Sequence, residues 1–504
     1  MHTTIVAPTC PPPECNLTVT DVEALLPALD DYVEQFAPAF ARSDQHAWAR
    51  RYVHGLLLPL PRKSCEPIAL ALDVSVRRLQ SFISESSWSA TSVLTIQEHL
   101  IARSLGDPDD GVFLIDESAL PKQGLHSAGV AHQYCGALGK VCSCQVGVFV
   151  GYASAKGYTL LDSQLFIPQD WFADDFASLR HEVGLPSDLT FLTKPQIAAQ
   201  LLQAIATRDI LQGRWVATDA LYGNSPAFRD AVDALGKWYF SEVSCDQLIW
   251  RRVPAVIVPP WSGRGRKPSK KRLKTPTNTP YRVDDLLWRL PKSAWTRATI
   301  KEGSKGPIIC DLAFVRVTEA RDGLPGPRLW LIIRRNVDDP TVVKFYLSNA
   351  PETIETTRLA RMCGMRWPIE LTFEVGKDEL GMDQYETRGW LGWHHHMALV
   401  MLVHHFLVWA RQMLLEKAPA LTLCQVRLLL SSVIPRPNVD AARVLFLVVY
   451  YQRRNHAAYL SHLKRKQRDL TRIAEREAQK RRRYPGRPPK RQAALNLALV
   501  ESAL

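Results

Sequence analysis

Gly111-Val-Phe-Leu-Ile-Asp116-Glu-Ser-Ala-Leu-Pro-Lys-Gln-Gly124 decides how this 504-residue chain is read. Four apolar residues between a glycine and an acid form a short buried strand, and the acid stands at its end. Arg214-Trp-Val-Ala-Thr-Asp219 repeats the pattern further on. Around these two stretches, β-rich runs at 112–115, 145–152, 158–167 and 215–218 are followed by helical windows at 196–211 and 225–235. The order predicts an α/β architecture, a mixed sheet covered by helices.

Outward from this centre the chain changes character. From 18 to 106 apolar residues recur at helical spacing, as in Val22, Leu25, Leu26, Leu29, Tyr32 and Val33, so a helical N-terminal domain precedes the sheet and follows a flexible terminus at 1–17. Within it, residues 64–83 read as two short helices joined by a turn at 73–75, with Ser75 capping the second. Arg77 and Arg78 lie near its start; a helix-turn-helix would set them on DNA, and a plain packed pair would leave them in solvent. Catalytic-domain character runs over 107–241 and resumes at 343–415, with a β-rich interruption at 242–342 containing runs at 308–317 and 328–335. In the second part a strand at 343–347 leads to a helix starting near 351, with a break at Trp367-Pro368, and then to a long apolar helix at 393–415. Residues 416–460 read as helical and 461–504 as a basic tail, whose stretch 485–490 is expected to be disordered alone.

The composition narrows the function classes. With 46% apolar residues the chain is globular, and neither a membrane-spanning run nor a signal sequence is expected, which points to a cytoplasmic, nucleoid-associated protein. The ten cysteines show no Cys-x-x-Cys pair, and Cys142 and Cys144 read as small core residues on one strand face. The net charge of +13 is concentrated. Residues 261–274 hold Arg264, Arg266, Lys267, Lys270, Lys271, Arg272 and Lys274 without an acid, and 464–491 hold thirteen basic residues against three acids. The remainder is slightly acidic, so the charge forms two arms suited to a polyanion. Gly263-Arg-Gly-Arg-Lys-Pro268 and Pro485-Gly-Arg-Pro-Pro-Lys490 resemble the Gly-Arg-Pro core of AT-hooks, which adds Arg487 and Lys490 to the expected DNA contacts.

A third acid completes the pattern. In Arg366-Trp-Pro-Ile-Glu370, the glutamate lies four residues after Arg366 and seven before Lys377, so one helical face carries all three. Glu374, one turn on, competes for the same role, and the spacing favours Glu370. Two aspartates and a glutamate suit a pair of hard divalent cations, and their mutual repulsion predicts an empty site that is partly protonated and loosely ordered. The histidines at 394–396 and 404–405 are too far apart along a helix to share one ion. They read as a helix packed behind Glu370, with one or two rings near phosphates.

The stretches 116–140, 219–223 and 366–396 together resemble insertion-sequence transposases of the DDE superfamily, in the subgroup with a Tyr-x2-Arg-x3-Glu-x6-Lys signature. The resemblance implies a ribonuclease-H-like mixed sheet with flanking helices, interrupted by a β-rich insertion. It implies Asp116, Asp219 and Glu370 as catalytic metal ligands for two Mg²⁺ ions, with Mn²⁺ a substitute, and Arg366 and Lys377 as phosphate ligands. The implied activity is binding of terminal inverted repeats, strand cleavage and strand transfer, by a homodimer on double-stranded DNA at element ends and target, without membrane or small-molecule substrate. A nuclease of the same fold and a catalytically inactive DNA-binding descendant are the alternatives. This sequence departs from the signature at Cys363, where the tyrosine belongs, and carries Asp116-Glu117-Ser118 for the usual Asp-Asp-Thr.

Overall fold

The computed structural model describes residues 14–303 and 306–483. The chain divides into one unit ending at Pro435 and a second beginning at Arg436.

The first unit opens with six helices: α1 Val19–Glu23, α2 Leu25–Glu34, α3 Ser43–Leu57, α4 Cys65–Ala71, α5 Val76–Ser84 and α6 Ala90–Leu105. Helix α5 shows why they form. Leu79, Phe82 and Ile83 recur at helical spacing and are buried, while the Ser75 hydroxyl accepts the Arg78 N–H and caps the first turn. Asp73 takes a left-handed φ of 55° in the turn from α4, which an aspartate tolerates better than most residues.

Strands then dominate: β1 Val112–Pro121, β2 Ala131–Cys135, β3 Lys140–Ser154, β4 Gly157–Phe166, β5 Trp215–Thr218 and β6 Trp238–Val243. Helices α7 Ala177–Glu182 and α8 Lys194–Arg208 lead into β5, and α9 Ala220–Gly223 and α10 Pro226–Ala234 connect β5 to β6. Their spatial order is β4-β3-β1-β5-β6, antiparallel between β4, β3 and β1 and parallel from β1 to β6. Residues Cys144 to Ala153 of β3 are buried without interruption, because helices cover the sheet on both sides of this central strand. The result is a large mixed sheet with flanking helices, consistent with a ribonuclease-H-like fold.

The β-rich segment after β6 does not form a sheet of its own. It supplies β7 Leu248–Trp250, the small pair β8 Val256–Ile257 and β9 Arg272–Leu273, β10 Tyr281–Arg282, helix α11 Val283–Leu287, β11 Trp295–Gly303, β12 Gly306–Arg321 and β13 Leu324–Asn336. Strand β14 Val343–Ser348 pairs with β6 on one side and β13 on the other, so the central sheet continues through β14, β13, β12, β7 and β10.

Helices α12 Thr356–Met362, α13 Trp367–Asp378, α14 Trp390–Leu414 and α15 Leu423–Val433 close the unit. The break expected at Trp367-Pro368 lies instead at 363–366. Pro368 sits in the first turn of α13, where its missing N–H has no helical partner to lose, so it starts the helix that carries Glu370.

Helix α14 is long and apolar enough to cross a membrane by length and composition, which corrects the expectation that no run is. Of its apolar window, 78% is buried inside the protein. Its histidines are core groups, and the expectation that one or two lie near phosphates is corrected for His395, His396, His404 and His405, all buried. His404 Nδ1 bonds Thr159 on β4, His405 bonds both Tyr32 (2.7 Å) and Ser104 (2.9 Å), and His396 bonds Tyr52 at 2.8 Å. They tie the helical N-terminal layer to the sheet.

Burial holds His404 at about 4 and His396 and His405 at about 3. Histidine in an unfolded chain protonates near 6.5, so the stability linked to these rings is complete above that pH and lost as pH falls toward 4. In thermal melts, a His396→Gln variant is therefore expected to lose less stability than the wild type between pH 6.5 and 4.5; equal losses would remove His396 as a source.

The second unit is the helix α16 Ala441–Arg483, 43 residues long. The basic stretch from Lys464 to Arg483 lies in this helix. Arg487 and Lys490, with the second AT-hook-like stretch, lie outside the described residues.

Candidate active site

Strands β1, β5 and β6 run parallel with Ile115, Thr218 and Ser241 level with one another. Each is followed by an acid, so Asp116, Asp219 and Glu242 stand one residue past that level, in a row across the three neighbouring strands. Strand β5 stops there and β1 continues, paired with β3 as far as Pro121. Asp219 becomes the cap of α9, its Oδ1 accepting the N–H groups of Leu221 (3.0 Å) and Tyr222 (3.4 Å).

Glu370 reaches this row from the first turn of α13, and Arg366 joins it to Asp116. The guanidinium donates to Asp116 Oδ2 at 2.9 Å and to Glu370 Oε1. Arg366 is therefore turned toward the acids. Burial alone would lower its pKa, but Asp116, Glu370, Asp219 and Glu242 together hold it up. Burial also pushes Asp116 up to about 7; Arg366 opposes that shift, and Asp219 and Glu117 add to it. Asp219 is raised as well, by burial and then by the charge of Glu117.

A cleft of about 700 Å³ opens beside Asp116, lined by Asp116, Glu117, Ser118, Lys194, Glu370, Glu374 and Lys377 among others, with Asp219 and Glu242 outside its lining. Glu370 and its competitor Glu374 thus face the same space. Burial lowers the pKa of Lys377, with Asp383 pulling the other way. The remaining expected DNA ligands are elsewhere. Arg264, Arg266, Lys267, Lys270 and Lys271 are exposed on the loop between β8 and β9, Arg77 and Arg78 are exposed on α5, and none lines the cleft. Arg77 pairs with Glu85 at 3.1 Å.

Several contributors are not evident from sequence alone. Glu117 accepts bonds from Lys194 Nζ (3.0 Å) and the Tyr222 hydroxyl (2.9 Å), linking β1 to the helix that Asp219 caps. Behind that helix, Arg229 on α10 is wholly buried; it donates to the Gly223 carbonyl and to the buried Glu319 on β12. A Cβ on Gly223 would lie 1.8 Å from the Glu242 carbonyl, so only glycine permits α9 to sit against β6. Lys122 of the opening motif, together with Ala128 and Gln145 beyond it, also buttresses the turn after α13. Gln145 accepts the Tyr385 hydroxyl at 2.6 Å, Lys122 donates to the Tyr385 carbonyl at 3.0 Å, and Ala128 N–H donates to Arg388. Cys363, at the signature tyrosine position, is buried with its thiol pushed up to about 12 by that burial.

The sequence profile of the family described as DDE superfamily endonuclease matches residues 35–307, more than half of the chain. The protein belongs to that family. No curated protein matches the chain. Membership in the DDE superfamily implies a DNA substrate and nuclease- or transposase-type activity, and nucleases of this superfamily generally use divalent metals such as Mg²⁺. The matched range contains Asp116 and Asp219 and ends before Glu370.

An all-oxygen donor set has the right chemistry for such a cation. Among the described residues, no three His, Cys, Asp or Glu side chains converge closely enough to hold an ion as they stand. The Arg366 guanidinium sits between Asp116 and Glu370 as a built-in countercation.

Proposed function

We propose that this DDE superfamily member is an insertion-sequence transposase that binds the terminal inverted repeats of its element, cuts the strands there and joins them to target DNA. The supporting observation is that Asp116 and Asp219 directly follow the level pair Ile115 and Thr218 of two parallel strands, with Glu370 linked to Asp116 through Arg366.

Asp116, Asp219 and Glu370 would hold two Mg²⁺ ions once Arg366 turns out of the row, a change of side-chain rotamer that leaves α13 in place. Bound metal supplies activation of a water or 3′-hydroxyl and stabilisation of the leaving oxygen. Arg366, once released, and Lys377 would take phosphates next to the scissile bond. The exposed Arg264 to Lys271 loop and Arg77 and Arg78 on α5 grip the duplex further away. Pairing two element ends calls for two copies of the chain, so the working form is a homodimer on DNA.

The test is incubation of the full chain with duplexes carrying the sequences that flank its reading frame, in Mg²⁺, in Mn²⁺ and in EDTA. Metal-dependent cuts at the repeat ends, followed by joined products, are expected. Cutting without joining would assign a nuclease, and no cutting in any metal would overturn the reading.

A further inference from the structure

The third acid in the row across β1, β5 and β6, Glu242, has no part in the two-metal scheme. Both its carboxylate oxygens accept Lys344 Nζ, at 3.0 and 2.9 Å, and the carboxylate helps to keep Arg366 charged, so it belongs to the neighbourhood of the acids. Lys344 lies on β14 directly opposite Arg334 on β13. Two cations facing each other across an antiparallel pair repel, and Glu242 offsets one of them. Arg334 carries a fork of five N–H donors. Among the described residues its hydrogen bonds are to the Tyr346 hydroxyl and the Cys363 carbonyl, both at 3.5 Å, the far edge of the useful range. Tyr346 stands opposite Glu242 and is itself within reach of the Arg366 charge. Arg366, Arg334 and Lys344 therefore form a line of cations leading from the acids onto the added strands, with Glu242 bonded to Lys344 at its outer end.

We propose that Lys344 and Arg334 form a seat for a DNA backbone phosphate beside the acid row, and that Glu242 is the internal anion holding Lys344 until the phosphate arrives. The seat rests on the reading of this site as DNA-processing. A phosphodiester oxygen between the two side chains relieves their repulsion and satisfies the guanidinium fork, while Glu242 gives up one of its two bonds to the ammonium. The strand about to be cut is thereby fixed on the far side of the row from Lys377, which makes Lys344 and Arg334 positioning residues for the scissile phosphate.

The test uses the full chain and a fluorescent duplex of arbitrary sequence, by anisotropy in EDTA across a salt series. Lys344→Gln and Arg334→Gln are each expected to weaken binding by roughly three- to tenfold and to reduce the slope of log affinity against log salt by about one. Lys344→Arg should keep the wild-type slope, and Glu242→Gln should bind DNA at least as tightly as the wild type. An unchanged slope and affinity in Lys344→Gln would overturn the seat. So would weakened Mn²⁺ binding by Glu242→Gln in calorimetry, since that makes Glu242 a metal ligand. Should Lys344→Gln fail to fold, Arg334→Gln carries the same measurement without breaking an ion pair. Because binding is read without metal, a chain that never cuts DNA but shows these slopes would sink the transposase reading and leave the seat standing.

Discussion

Asp116→Asn, Asp219→Asn and Glu370→Gln are each expected to lower Mg²⁺-dependent DNA cleavage by on the order of a thousandfold, about 4 kcal/mol of transition-state stabilisation. The amides keep the shape of each side chain and one oxygen but lose the charge that attracts a hard cation. Binding of duplex DNA in EDTA should be little changed, because none of these groups meets a phosphate without a metal between. A variant that cuts at the wild-type rate would remove that residue from the site.

Asp116→Asn should also alter stability in a recognisable direction. Burial raises the Asp116 carboxyl to about 7, with Arg366 opposing and Asp219 and Glu117 reinforcing the shift. A carboxyl that is harder to ionise folded than unfolded favours the native state below its ordinary pKa near 4, and that contribution is lost as pH rises to about 7. The asparagine variant should therefore gain stability relative to the wild type between pH 4 and 7 in metal-free melts. Buried His396, His404 and His405 impose the opposite slope on both proteins, so the difference between the curves is the quantity to read. A constant difference would show that Asp116 ionises at its ordinary pH.

The other large effect expected is structural. Glu319→Ala leaves the Arg229 guanidinium wholly buried without its carboxylate, and Arg229→Ala does the converse. Breaking a buried pair from one side typically costs about 3–5 kcal/mol, because the remaining charge stays desolvated. Arg321 softens the second case, since it also bonds Glu319 at 2.8 Å. Urea unfolding should show both losses, and the paired replacement Arg229→Met with Glu319→Leu should be far milder. Arg229→Ala should also slow cleavage beyond its effect on folding, since the Gly223 carbonyl it holds ends the helix that Asp219 caps. Unfolding midpoints equal to wild type in both single variants would show that the pair contributes nothing.

The sequence is most legible where one local rule acts alone. Trp215–Thr218 is a strand to the residue, because an aromatic and β-branched run is bounded by Gly213 and by an acid that caps the next helix. Strand β6 escapes such a rule: Trp238 to Val243 alternates poorly and follows a helix, and its identity depends on pairing with β5. With it goes Glu242, whose place in the row is fixed by register between strands distant in sequence. Pro368 reads as a breaker in isolation, although position within a helix decides whether proline breaks or begins it. The five-histidine helix offers ligand-type residues, but their partners Tyr32, Tyr52, Ser104 and Thr159 come from four other elements of the chain. Helical spacing places Arg366 correctly beside Glu370, while its bond to Asp116 spans 250 residues and leaves no local signal.

The continuity of the sheet from β6 through β14 to β10 has a consequence for how this architecture was assembled. Strands β7 to β13 are not a removable module hung on a finished enzyme. Excising them would bare the outer edge of β14, whose central Phe345, Tyr346 and Leu347 are buried, and expose a flat apolar template for pairing with other chains. Removing the β8–β9 hairpin, by contrast, would leave that edge covered, because its pairing lies outside the main sheet.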